Sequence, residues 1–183
     1  MLSLVLASMV VGRSTVVRPM TTVRPDPYAR WLRSDSDVPR VYRGLIVQAG
    51  RSCEVSGMSP ALIAAMLKVE SGFDPRLRDP GRDEYGIARW TPAVLAYWQP
   101  GGVSEPAPRP EQITPVLSIP ALGRYLCSFG KDLKNVPGDP AVNLAVAYRT
   151  SPRSVVESKG VPPQQRAYSG RVAYYIRQYR PRS

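Results

Sequence analysis

Apolar positions in this chain recur three and four residues apart in several separate runs, the spacing of helices with one buried face. Val38, Val41, Tyr42, Leu45 and Ile46 form one such stripe. Pro39 suits a first turn and Gly50 a stop, which predicts a helix over 38–50. A denser apolar run follows from Met58 to Val69. Ser59 offers an N-cap, Pro60 a first helical position, and Gly72 with Pro75 an end, so a second helix is expected over 60–71. Residues 73–84 are polar and turn-like around Asp79-Pro80-Gly81. A short helix is expected from Tyr85 to Trp90, and another from Thr91-Pro92 through Trp98.

Residues 99–115, with Gly-Gly and repeated proline, predict an exposed loop. Ser118 and Pro120 predict the start of a helix that reaches Lys134, with Ile119, Leu122, Leu126 and Phe129 inward. Asp139 and Pro140 open another that runs to Tyr148, and a last one covers 166–179 with Val172, Tyr175, Ile176 and Tyr179 on its stripe. No stretch alternates apolar and polar residues over strand length between turn signals. The expected fold is all-α.

The N-terminal part lacks this period. Residues 1–12 are an apolar run too short to span a bilayer, of a length that suits the core of a secretory signal, with Arg13 and Arg18 after it and no positive segment before it. It reads as a truncated signal or anchor segment and points to export. Residues 13–37 are rich in Arg, Pro, Thr, Ser and Asp, with Tyr28 and Trp31 as scattered apolar positions, and read as a disordered arm or linker. One folded domain is therefore expected over 38–183, in a chain of 183 residues that is too short for two ordinary domains.

Composition narrows the chemistry. A net charge of +11 favours anionic partners such as acidic cell-wall polymers, membranes or nucleic acid. For nucleic acid there is charge alone: basic runs interleaved with aromatics and recognised binding motifs are both lacking, so no specific nucleic-acid binding is expected. The chain has no histidine, which removes Ser-His and Cys-His nucleophiles and leaves only carboxylates and two cysteines as metal ligands; no metal or cofactor is expected. Cys53 and Cys127 are too far apart in sequence for a C-x-x-C motif. One disulfide is their simplest use, and two buried free thiols are the alternative.

Glu70 stands out against this background. Leu67 and Met66 precede it by three and four residues, with Ile63 and Leu62 a turn further back, so a carboxylate shares the apolar stripe of its helix. Burial disfavours the charged form and raises the pKa, and the negative pole at a helix C-terminus acts in the same direction. A glutamate so placed is a candidate general acid. Asp74, Asp79, Asp83 and Glu84 follow in the polar segment as candidate second carboxylates, and turn formation is the simpler reading of all four.

Glu70-Ser71 closing an apolar helix, the Gly-Ile-Ala-x-x-x-Pro segment from Gly86 to Pro92, and Ala147-Tyr148 closing a later helix together resemble the lytic transglycosylase SLT domain of the goose-type lysozyme-like superfamily. The resemblance runs from about Val41 to Ile176, and the segments at 123–127 and 137–140 look like those of secreted actinobacterial members. It implies a lysozyme-like single domain of about six to eight helices around a glycan cleft. It implies a monomer acting on peptidoglycan strands, with Glu70 as acid/base and Ser71 as its partner. Tyr85, Gly86, Ile87, Ala88 and Arg89 would line the cleft. Tyr148 would orient Glu70 through its hydroxyl, beside Arg149, and Tyr175 would stand for the tyrosine of the final helix, with Tyr168 as the other possible register.

Arg89 and Arg149 depart from the family pattern, replacing a glutamine and an asparagine with cations. Arginine near Glu70 opposes the pKa elevation that acid catalysis requires. The expected activity is cleavage of the MurNAc-GlcNAc β-1,4 bond with 1,6-anhydromuramyl ends. A lysozyme-like hydrolase and a weakened, binding-only relative are the alternatives.

Overall fold

The computed structural model describes residues 25–102 and 106–182; the apolar run at 1–12 and most of the expected arm lie outside them. Eight α-helices are present among the described residues: α1 (Arg40–Gly50), α2 (Pro60–Ser71), α3 (Pro92–Tyr97), α4 (Pro115–Ser128), α5 (Gly130–Leu133), α6 (Pro140–Arg149), α7 (Pro152–Glu157) and α8 (Arg166–Tyr179). The all-α expectation holds, with one small addition. Two two-residue strands, β1 (Arg78–Asp79) and β2 (Glu84–Tyr85), pair antiparallel with Arg78 opposite Tyr85 and Asp79 opposite Glu84.

The second helix is the axle of the fold. Every residue from Pro60 to Leu67 is buried, as is Glu70, because α1, α4, α6 and α8 all pack against it. A helix apolar nearly all round has to be central. Its ends follow the sequence signals: the Ser59 hydroxyl accepts from the Leu62 amide, and Gly72 closes the helix in the left-handed conformation at φ 66°. Gly123 lets α4 approach α1, since a Cβ there would meet the Ala49 carbonyl oxygen at 2.8 Å. Beside that contact Cys53 and Cys127, 74 positions apart in sequence, form a disulfide. Closing a loop of this length stabilises by about 4 kcal/mol on chain-entropy arguments.

Four expectations are corrected. Residues 25–37 are not an unpacked arm: Leu32 is fully buried, the Arg33 amide donates to the Tyr179 carbonyl, and Asp26 pairs with buried Arg43. Tyr28, Trp31 and Leu32 are spaced as one helical turn, and the Leu32 amide does bond to the Tyr28 carbonyl. Residues 85–90 are a tight hairpin turn instead of a helix, with Tyr85 and Trp90 exchanging both backbone hydrogen bonds. Gly86 at φ 74° and Arg89 at φ 55° reverse the chain there. The fourth helix starts at Pro115 and ends at Ser128, with Pro120 inside its early turns and α5 separate. Within the expected loop 99–115, Ile113 is buried against Gly86. None of the described helices is long and apolar enough to cross a membrane.

Candidate active site

Glu70 is the penultimate residue of α2, with 6% of its surface exposed. Its carboxylate is clamped from two sides. Oε1 accepts a 2.7 Å hydrogen bond from the Tyr168 hydroxyl on α8, and Oε2 lies 3.4 Å from Arg149 Nη1 at the end of α6. Burial raises the Glu70 pKa, and Glu84 acts in the same direction; Arg149, the Tyr168 hydrogen bond and Arg89 oppose this without cancelling it. Arg149 is held charged: burial works against its charge, but Glu70 and Glu84 together outweigh burial. Tyr168 and Tyr148 are both pushed well above the usual tyrosine range, by burial first and then by Glu70, so both hydroxyls stay protonated and able to donate.

Ser71 does not touch the carboxylate. Its hydroxyl bonds the Leu67 carbonyl at 3.2 Å and the Ile87 carbonyl at 2.7 Å, pinning the Gly86–Arg89 turn to the end of α2. Tyr148 adds a second pin. Its hydroxyl donates to the Ala88 carbonyl, so the expected hydrogen bond from Tyr148 to Glu70 is not made. Ile87 and Ala88 are fully buried beneath the turn, and a Cβ on Gly86 would sit 2.9 Å from Ile113 Cγ2. These residues position the site from behind, and Tyr85 supplies the backbone pairing that closes the hairpin.

Arg89 turns away from Glu70 into two short ion pairs, Nε to Glu84 Oε2 at 2.6 Å and Nη2 to Asp79 Oδ2 at 2.6 Å. These pairs offset the cost, about 1–2 kcal/mol, of a left-handed conformation at a non-glycine residue. The other oxygen of Glu84 lies 3.2 Å from Arg149 Nη1. A chain of alternating charge thus runs Glu70, Arg149, Glu84, Arg89, Asp79.

Tyr175 is not in this constellation; it stacks on Tyr179 with ring centroids 5.6 Å apart, next to Lys68. Tyr168 occupies the position next to the acid. The two lie seven residues apart, two turns along nearly the same stripe of α8, so the periodicity that suggested one equally allowed the other. Glu84 is the residue that sequence reasoning undervalued as turn chemistry. A signal for it existed, since two cations placed near a buried acid require nearby counter-charges and the segment after α2 is the acidic one.

An open pocket of ≈ 180 Å³ adjoins the network, walled by Trp90, Tyr125, Tyr148 and Val94 and edged by Glu84, Arg89 and Arg149. Glu70 does not line it; Arg149 borders both the acid and the pocket. A larger cavity of ≈ 440 Å³ beside Cys127 is mainly apolar, and its single carboxylate, Glu54, is exposed, so it offers no buried acid. No protein-family model matches this chain, and no curated protein or solved structure matches it.

Proposed function

We propose that the chain cleaves the glycan strands of peptidoglycan as a lytic transglycosylase, with Glu70 as its single acid/base. The observation that carries this reading is the Glu70 carboxyl, buried at a helix end with a raised pKa, hydrogen-bonded by Tyr168 and paired with Arg149, which borders an open aromatic-walled pocket. The neutral acid donates its proton to the glycosidic oxygen between N-acetylmuramic acid and N-acetylglucosamine. The carboxylate left behind is stabilised where it forms, by Tyr168 and Arg149. It then accepts the proton of the muramyl C6 hydroxyl as that oxygen closes on C1, giving a 1,6-anhydromuramyl end without water. Export to the cell envelope fits this substrate, and the Cys53–Cys127 disulfide is compatible with an oxidising compartment.

One observation favours a second reading, a lysozyme-like hydrolase. Arg149 Nη1 lies 3.4 Å from Glu70 Oε2 and 3.2 Å from Glu84 Oε1, which brings a second carboxylate to within about 7 Å of the acid, close enough for a two-carboxylate mechanism to be considered. Digestion of purified peptidoglycan by the full chain, with mass spectrometry of the released fragments, separates the readings. Anhydromuramyl ends that survive Glu84→Gln and fall at least about a hundredfold with Glu70→Gln are the expected result. Reducing ends that need both carboxylates would mean a hydrolase. Uncut sacculi that retain the protein would mean a binding-only relative.

A further inference from the structure

Arg149 is the one cation of the network that faces both the buried acid and the open pocket. Its contacts are lopsided. Nη1 serves Glu70 and Glu84, while among the described residues Nε and Nη2 have no hydrogen-bond partner. The side chain is 22% exposed, and neither of these two donors is a fully buried atom without a partner. Contrast Arg89, whose Nε and Nη2 are both taken at 2.6 Å by Glu84 and Asp79. Arg149 thus brings to the border of an aromatic-walled pocket a guanidinium edge with two parallel N–H groups to spare. That edge matches a carboxylate, which accepts two parallel hydrogen bonds from arginine.

Charge along the network depends on Glu70. With Glu70 neutral, Arg149 and Arg89 balance Glu84 and Asp79; with Glu70 ionised, Arg149 already has a second anion to satisfy. An incoming carboxylate thus competes with ionised Glu70 for the same guanidinium and favours its protonated form.

We infer that Arg149 is a specificity-determining residue that recognises a carboxylate carried by the glycan, through Nε and Nη2, and that its engagement releases Glu70 to hold the proton needed for bond cleavage. This rests on the glycan reading of the site and names the feature of the substrate that the site selects: a free carboxylate on the sugar, such as the lactyl carboxylate of muramic acid in strands stripped of their peptide stems, in preference to glycan in which that carboxyl is capped. The groups facing Glu70 in this linkage are Arg149 and Tyr148 from α6, Tyr168 from α8, and Glu84 and Arg89 from the hairpin. Of these, Arg149 alone borders the pocket while contacting the acid directly.

The test is a titration of the full chain with three probes: the disaccharide N-acetylglucosaminyl-N-acetylmuramic acid, which lacks the scissile bond; its carboxyl methyl ester; and acetate. Calorimetry in two buffers of different ionisation enthalpy counts protons, and NMR follows the Arg149 Nε–H. Expected are at least about tenfold tighter binding of the acid than of the ester, loss of that ratio in Arg149→Gln with the ester affinity kept, and proton uptake on acid binding that disappears in Glu70→Gln. Equal affinity for acid and ester, or a ratio that survives in Arg149→Gln, would overturn the inference while leaving the transglycosylase reading intact. Sacculi cut by a protein in which no probe moves Arg149 would do the same. Acetate perturbing Arg149 while neither sugar binds and sacculi stay whole would keep the carboxylate site and overturn the glycan reading.

Discussion

Arg43 and Arg149 each bring a guanidinium into the protein beside a carboxylate, and the two are finished differently. Arg43 is 2% exposed with all three nitrogens engaged: Nε with the Val38 carbonyl, Nη1 with Asp26, and Nη2 with backbone oxygens of Arg33, Ser34 and Ser36 and the Ser36 hydroxyl. It ties the 25–37 segment to α1, and nothing about it is left over for a ligand. Arg149 makes its contacts through one nitrogen, shared by two carboxylates at 3.2 and 3.4 Å. Saturation marks a structural clamp, whereas spare donors beside an acid with a displaced pKa mark a place for chemistry. Burial alone would have ranked Arg43 as the more interesting residue.

The sharpest way to break this contrast is to remove each arginine. Arg43→Ala leaves the Asp26 carboxylate without its cation and several carbonyls without their donor, and is expected to cost about 3–5 kcal/mol, read as a lowered midpoint in urea. Arg149→Gln should shift the same midpoint by no more than about 1 kcal/mol, since the pair is partly solvated and Glu70 can take up a proton instead. Comparable losses from the two substitutions would mean that Arg149 is a structural clamp as well.

The legible parts of this chain were those written in local chemistry. Ser59, Pro60 and Gly72 fixed both ends of α2 to the residue, Asp139 and Pro140 opened α6, and an isolated carboxylate on an apolar stripe pointed to Glu70. Cys53 and Cys127 were the only available disulfide. What remained hidden depended on tertiary context. The hairpin at 85–90 carries residues with ordinary helix propensity, and it is held out of helix by Ser71 and Tyr148 capturing the carbonyls of Ile87 and Ala88. The 25–37 segment looked like linker because its composition is polar. Its order comes from one arginine fifteen residues or so along the chain and from the far end of α8, contacts that no window of sequence contains. The choice between Tyr168 and Tyr175 needed the register of α8 against α2, which periodicity leaves open by two turns.

A second test separates the clamp from the acid by the sign of the effect. Because the Glu70 pKa is raised above its ordinary value of 4.5, the folded state favours the protonated form. This contribution to stability is fully present below about pH 4.5 and is lost as pH rises through the folded-state pKa. Glu70→Gln removes the titration and is therefore expected to be more thermally stable than wild type at pH 7, with the gain shrinking to nothing near pH 4. Loss of stability at pH 7 would show Glu70 to be a paired structural charge of the Arg43 kind.

The smallest expected effect is also the one that reads the site most directly. Tyr168 donates to Glu70 at 2.7 Å and so favours the carboxylate over the acid. Tyr168→Phe keeps the ring packed on the core while deleting that donor, so Glu70 is expected to hold its proton to higher pH. If cleavage requires neutral Glu70, the alkaline limb of the rate profile moves up in Tyr168→Phe while the maximal rate falls, because the carboxylate formed after proton donation has lost one of its two partners. A purely structural role for Tyr168 would lower the rate at every pH and leave the limb in place. Tyr175→Phe serves as the matched control. It removes a hydroxyl from the same helix stripe two turns away, where Lys68 and Tyr179 are the neighbours, and it should leave the limb unmoved.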